Sequence, residues 1–383
     1  MDLLTALSAL HDASTLWCLS GPCSLVAWDV EAARVDDLAV VGARVRRSEE
    51  ARVPDGTAWN LEPSAPPTHL VQMDYEGHTD VVRIRRGLWW SRDGQLHTIG
   101  DARLPNPLPT KPLRLAGPLV PAWNGSIHAE KVAYLRERIA AGDCYQVNLT
   151  LPMRGELASG DDLAVALALL RTSPAPFAGA IRRPGRPTMV SHSPECFLAV
   201  ADGTVVSCPI KGTRRTEDPD DLLAHPKDRA ELAMIVDLMR NDLGRLAQPG
   251  TVQVTAPVRL LHLPYVRHLV ADITAELRPG TTWDALLAAT FPAGSITGAP
   301  KTMAMQHIAA IEAGPRGAYC GSFGWVGDRG GQLAVAIRTL EVSGSTVTLH
   351  AGSGITADSD GAAEWDEVLA KAGAMARALG GSL

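Results

Sequence analysis

At 383 residues, 46% hydrophobic and 20% charged, the chain has room for two domains or for one large α/β core. Its net charge of -6 provides no electrostatic footprint for nucleic acid or for an anionic membrane surface. No apolar run approaches the ~18 residues of a membrane span, and the opening MDLLTALSALHDAS lacks a basic leader, so a cytoplasmic protein is expected. The six cysteines (Cys18, Cys23, Cys144, Cys196, Cys208, Cys320) form no CxxC pair. That spacing argues for reduced thiols and against a zinc site, although Cys18 and Cys23 are close enough in sequence to pair.

Residues 1 to about 115 show strand-like runs at 25–28, 37–45 and 81–84 between turns rich in Pro and Gly. Asp93-Gly94 is a hairpin signal between Leu88-Trp89-Trp90 and Leu96-His97-Thr98. Six prolines crowd residues 104–121 and predict a linker. The region reads as an antiparallel β-rich scaffold whose tryptophans serve the core.

From Ser126, a helix-capping residue, Val132, Leu135 and Ile139 recur at helical spacing until Gly142. GDCYQVNLTLPM then alternates Tyr145, Val147 and Leu149 with Gln146, Asn148 and Thr150, the pattern of a half-buried strand. A helix is predicted over 161–172, stopped by Ser173-Pro174. Residues 188–200 predict two strands around a turn at His192-Ser193-Pro194, with Glu195 just beyond it. Taken alone, that Glu is an ordinary strand-end residue.

The next stretch concentrates the chemistry. A short strand at 205–210 is followed by a loop carrying Lys211 before Gly212-Thr213. A helix comes after it, with Pro226 in its first turn and an apolar stripe of Leu232, Ile235, Val236, Met239 and Leu243. Gly244 can end that helix in a left-handed conformation. Asp228, Glu231 and Asp242 fall outside the stripe. An amine beside several carboxylates is either an ion pair or a nucleophile next to a metal site, and this stretch alone does not choose.

Further strands are predicted at 251–254 and 263–277, the second holding His268, which by itself reads as structural. A helix at 283–290 leads into FPAGSITGAPK and a helix at 301–312. The N–H groups at that helix start suit an anion, or they belong to an ordinary loop. Strands follow at 319–326, 333–340 and 346–350, with Arg338 inside AVAIRTLEV, where a charge needs a partner or a surface. Ala351-Gly352-Ser353-Gly354 lets backbone approach an anion closely. The last helix, 362–379, turns Trp365, Val368, Leu369, Ala372 and Met375 inward. Glu364, Glu367 and Lys371 share a neighbouring face, which taken alone is a solvated one.

In order, the blocks GDCYQVNL, SPECFL, PIKGT, KDRAELAMIVDLMRND, HLV, GSITGAPK, YCGSFG, AIRT and GSGI resemble the chorismate-utilising enzymes, and within them the aminodeoxychorismate synthase branch. The resemblance covers residues 126 to 383, about two thirds of the chain, and is loose before that. It implies an α/β (α+β) fold: a large two-sheet antiparallel β-sandwich with outer helices and a cleft between halves. It divides the chain into an N-terminal β-rich region, 1–115, packed into the same sandwich, and a chorismate-binding catalytic domain, 116–383. It further implies Mg²⁺ held by Glu231, Glu364 and Glu367, and a chorismate pocket lined by Gly212, Thr213, Ser295, Tyr319, Arg338, Gly352, Ser353, Gly354 and Lys371.

The implied reaction is amination of chorismate at C4. Lys211 is the expected nucleophile, Glu195 the acid, and His268 a proton-handling or orienting group. The anthranilate branch resembles this chain but carries Ala at the Lys211 position, and isochorismate and salicylate synthases carry Lys at the Gln146 position. Cys196 departs from the Arg usual after SPE, and is read as a local packing change. The chain lacks a G-x-C-x-G nucleophile elbow, so ammonia is expected from a separate glutamine amidotransferase subunit. The alternatives are an anthranilate synthase component I, or a non-catalytic chorismate-binding homologue.

Overall fold

The computed structural model describes residues 6, 16–20, 24–33, 67–90, 95–102, 111–172, 175–219, 221–263, 266–312, 314–327 and 330–383. The N-terminal part contributes β1 (Leu16–Ser20), β2 (Ser24–Ala33), β3 (His69–Met73), β4 (Thr79–Trp90) and β5 (Leu96–Ile99). The short β6 (Arg114–Leu115) and β7 (Val120–Pro121) precede α1 (Gly125–Ala140), β8 (Gln146–Ser159) and α2 (Asp162–Thr172). Five strands follow: β9 (Phe177–Arg182), β10 (Thr188–Ser193), β11 (Cys196–Ala201), β12 (Thr204–Cys208) and β13 (Ile210–Arg215). Next come α3 (Pro226–Gly244), β14 (Gln253–His262), β15 (Val266–Glu276), α4 (Trp283–Thr290), α5 (Gly294–Thr297), β16 (Gly298–Ala299) and α6 (Lys301–Ile311). The chain ends with β17 (Ser322–Gly327), β18 (Gly330–Val335), β19 (Thr339–Ser343), β20 (Thr346–Ile355) and α7 (Gly361–Ala378).

All these strands pair antiparallel. The ladder runs β8–β20–β19–β10–β9–β1–β2–β4–β3–β17–β18–β11–β12–β15–β14. Its two halves meet in one apolar layer, where Leu19, Leu25, Phe177, Ile181 and Met189 face Ala199, Val206, Val270, Phe323 and Ala334. Each half takes helices on its other side. Leu163, Leu167, Val368 and Met375 of α2 and α7 pack on Leu151, Leu340 and Leu349. Leu232, Ile235, Met239, Trp283 and Ile308 of α3, α4 and α6 pack on Leu198, Ala271, Ile273 and Leu333. This is the expected two-layer antiparallel sandwich with outer helices. The stripe predicted on α3 is buried as a unit, and each such side chain is worth about 1.5–3 kcal/mol of burial. Among the described residues no helix is long and apolar enough to cross a membrane.

Several local expectations are corrected. Asn124, two residues before the predicted cap, is the α1 N-cap and accepts from the Ile127 N–H. β8 is buried on both faces at 146–151, where α5 and α6 pack against it, and is not half-exposed. Lys211 lies on β13 and not on a loop, while Gly212 at φ +61 shifts the register between Lys211 and Thr213. α3 passes Gly244 into a right-handed turn at Arg245. Arg338 stands in the break between β18 and β19, and Gly352–Gly354 are strand residues of β20. The 104–121 stretch contains the short β6 and β7, with 103–110 outside the described residues. The 37–45 run, Cys23 and the Asp93-Gly94 turn also lie outside them, although β4 and β5 do pair, with Trp90 opposite Leu96. Cys18, Cys144, Cys196, Cys208 and Cys320 are free and buried, and Cys196 faces Cys208 across β11–β12 in the sandwich interior.

Candidate active site

The chain passes between the two halves of the ladder at 193–195 and again at 336–338. β10 pairs with β9 and β19, whereas β11 pairs with β12 and β18. The two crossings are joined to each other. The His192 N–H donates to Arg338 O at 3.0 Å, and the Val335 N–H donates to Glu195 O at 3.1 Å. The Ser193 hydroxyl donates to Val335 O at 2.6 Å. These bonds hold the 192–195 and 335–338 crossings against each other at the junction of the halves.

Glu195 is buried, 3% exposed, and burial pushes its carboxyl up to about 7. The Ser295 hydroxyl, the Lys211 charge and the Ile210 N–H offset that rise only in part. Lys211 donates from Nζ to Ser295 O at 3.1 Å. Among the described residues no carboxylate comes within 4.0 Å of that amine, so it is not tied up in an ion pair. Burial lowers its affinity for a proton, against the opposing pull of Glu231 and Glu195. Burial therefore favours the neutral form of both groups, raising the acid and lowering the amine.

Arg338 adopts φ +49, a conformation that costs a non-glycine residue about 1–3 kcal/mol and persists only where its surroundings impose it. Burial draws its guanidinium down to about 10. Its side chain donates to His268 Nε2 at 3.2 Å and has no acidic partner among the described residues. An arginine cannot accept, so His268 Nε2 is the acceptor and Nδ1 carries the hydrogen. That Nδ1–H meets Gly212 O at 3.2 Å and the Thr213 hydroxyl at 3.0 Å. Burial and the Arg338 charge push His268 down to about 3, so the ring is neutral. It orients Arg338 and closes off β13.

Hydrogen bonds thus link Arg338 through His268 to Gly212 and Thr213, which flank Lys211 on β13, and link Lys211 to Ser295. A side chain at Gly212 would meet Asp228 Cγ and Leu222 Cδ1, each at 3.0 Å. Gly352 and Gly354 lie opposite Thr150 and Asn148 on β8. A Cβ at Gly354 would fall 2.2 Å from Gln146 Nε2, so the glycine leaves room for that amide. Both polar atoms of the Gln146 side chain are buried without a partner, as are the Ser353 and Thr150 hydroxyls. Tyr319 stands apart. It is buried, its ring is stacked on His350 with centroids 5.4 Å apart, and burial raises its hydroxyl well above the usual range. No hydrogen bond joins it to Lys211, Glu195 or Arg338 among the described residues.

The three expected metal ligands come from α3 and α7. Glu364 is buried and its Oε1 accepts from the Ser359 hydroxyl at 2.6 Å. Lys371 donates to Glu367 Oε1 at 2.7 Å and to Gly352 O at 2.9 Å. Burial raises Glu231, Lys211 and Lys227 oppose that rise, and Asp228 and Glu367 add to it. Burial alone would raise Glu367 too, but the Lys371 charge brings it below the usual carboxylate range. No three acidic, His or Cys side chains converge as a ready-made cage among the described residues. The donors are nonetheless all carboxylate oxygens that repel one another. That chemistry fits Mg²⁺, which takes one or two carboxylates and completes its shell with water and substrate oxygens.

Two supports were not visible in the sequence. Arg316, 2% exposed, pairs with Glu312 at 2.6 Å and donates to Ile296 O at 2.8 Å and Asn148 O at 2.7 Å, clamping α5 to β8. Lys301 pairs with Asp242 at 2.6 Å and donates to Thr290 O and Pro292 O, fixing the segment before α5 to α3. The i, i+4 spacing of Glu312 and Arg316 was the available signal, but Gly314 and Pro315 disguise it as a loop.

The chain matches the chorismate binding enzyme family over residues 76–377. It is 40% identical over 275 residues to aminodeoxychorismate synthase component 1 of Klebsiella aerogenes, covering 68% of this chain and 60% of that protein. It is equally 40% identical over 263 residues to anthranilate synthase component 1 of Streptomyces coelicolor, covering 65% and 50%. The chain therefore spans well under two thirds of the length of these relatives. The menaquinone-specific isochorismate synthase of Escherichia coli shares its fold, with TM-score 0.80 at 20% identity over 99% of this chain and 91% of the other. So does anthranilate synthase component I of Streptococcus pneumoniae, with TM-score 0.74 at 24% identity over 94% and 89%.

Proposed function

Since the chain belongs to the chorismate-binding enzymes, we propose that it is the component that aminates chorismate at C4, giving 4-amino-4-deoxychorismate. The observation that carries this reading is Lys211: a half-buried residue whose amine is depressed by burial, outside any ion pair among the described residues, and near an acid raised to about 7. Catalysis is assigned to residues 116–383, with the N-terminal strands completing the sandwich.

Neutral Lys211 forms a bond from Nζ to C2 of the ring. The two ring double bonds shift, the C4–O bond breaks, and Glu195 gives its proton to the departing hydroxyl, which leaves as water. Ammonia then bonds to C4, the double bonds shift back, the C2–N bond breaks to release Lys211 as the neutral amine, and the ammonium formed at C4 returns a proton to Glu195. Arg338, oriented by neutral His268, grips a substrate carboxylate in a bidentate fork, and the Gly352–Gly354 backbone approaches the same ligand. Glu231, Glu364 and Glu367 would hold Mg²⁺, which neutralises a substrate carboxylate. Gln146 cannot abstract a proton from water, which supports amination over hydration. Ammonia is supplied by a separate glutamine amidotransferase.

The test is to incubate the protein with Mg²⁺, chorismate and an ammonium salt, with and without an aminodeoxychorismate lyase. Lyase-dependent para-aminobenzoate is the expected product. Fluorescent anthranilate without the lyase would assign the chain to the C2-aminating branch, and absence of either product would leave a chorismate-binding homologue.

A further inference from the structure

One residue outside the assigned set stands among the carboxylates. Lys227 Nζ lies 3.9 Å from Glu231 Oε1 and 3.8 Å from Glu364 Oε1. The first is one turn on along α3, and the second belongs to α7, so a single ammonium spans the two helices. The neighbouring charges are already engaged. Glu367 is held by Lys371, and Glu364 also accepts from Ser359. Lys227 makes only these two contacts among the described residues, both longer than a hydrogen bond, and its side chain is 47% exposed. It acts by charge, and its stem is free to carry the ammonium out to water.

Resting on the metal reading above, we propose that Lys227 is a built-in counter-cation of this site. It holds Glu231 and Glu364 together while the protein is metal-free, and the divalent ion displaces it. An ammonium and a dication cannot share the same two carboxylates, so the displacement is charged against metal affinity. Binding of the ion to the free protein is thereby weakened, and firm binding waits for the extra carboxylate that the substrate brings. Metal and substrate then bind synergistically, each raising the affinity of the other by the same factor.

Mn²⁺, followed by electron paramagnetic resonance without substrate, is the probe. Lys227→Met should tighten Mn²⁺ binding roughly three- to thirtyfold, the range set by two partly exposed ion pairs. Lys227→Arg, which keeps the charge, should stay within about twofold of the parent. Without metal, Lys227→Met should melt below the parent, and Mg²⁺ should erase that difference. An unchanged or weaker Mn²⁺ affinity in Lys227→Met overturns the proposal. If neither the parent nor Lys227→Met binds Mn²⁺, with or without chorismate, the metal site itself fails, and the counter-cation falls with it.

Discussion

Glu195→Gln should make the protein both more stable at alkaline pH and nearly inactive. The folded-state carboxyl sits near 7 against an ordinary 4.5, because burial disfavours its charge. A raised carboxyl contributes stability that is complete below the unfolded value and lost as pH climbs through the folded one. Between pH 5 and pH 8.5 that loss comes to about 2–3 kcal/mol, at 1.36 kcal/mol per tenfold change in proton binding. The isosteric amide carries no such charge, so urea unfolding followed by tryptophan fluorescence should show the variant gaining about 2–3 kcal/mol on the parent across that interval. Activity should fall by about 10²–10⁴, and the parent's own rate should decline above pH 7 as Glu195 loses its proton. A stability difference that stays flat with pH would refute the assignment of Glu195 as a buried, neutral acid.

Three further outcomes follow from the site. Lys211→Ala should abolish amination at C4 in the lyase-coupled assay, and full retention of product would exclude the covalent route. Arg338→Lys keeps the charge but loses the fork, so kcat/KM should drop about tenfold or more, chiefly through KM; a change confined to kcat would contradict substrate gripping. Arg316→Met strands the buried Glu312 carboxylate and should cost about 3–5 kcal/mol in urea unfolding, whereas a loss below about 1 kcal/mol would mean the clamp is unimportant.

Local patterns were well legible in the sequence. The α3 stripe, the bounds of α4 and the inward face of α7 follow from 3.6-residue spacing, which depends only on near neighbours. The strand breaks were not legible. No turn residue marks a break within AVAIRTLEV, yet the chain changes sheet partners at Arg338, and partner choice is a long-range property. Glu364 read as solvated because a charged residue on an amphipathic helix normally is; its burial depends on Ser359 and on α3 arriving opposite. Gly352–Gly354 read as a loop because glycine signals turns, but their missing side chains make room within the strand for Gln146, Asn148 and Thr150. The motif order nominated the candidate residues, while the environment of each came only from the packing around it.

The interlacing of the ladder bears on how such a chain is made. Beyond short pairings with β6, β7 and β16, β8 finds its long partner in β20, with Val147 opposite Ile355 about two hundred residues later, and β3, paired early with β4, waits for β17 on its other edge. On a ribosome, β8 would emerge long before β20 and expose an unpaired edge in the interval. Neither half of the sandwich can be completed from one end of the sequence, so fragments cut within it should not yield an autonomous subdomain. High contact order of this kind slows folding and lengthens exposure to aggregation, a cost that falls on the growing chain rather than on the finished enzyme.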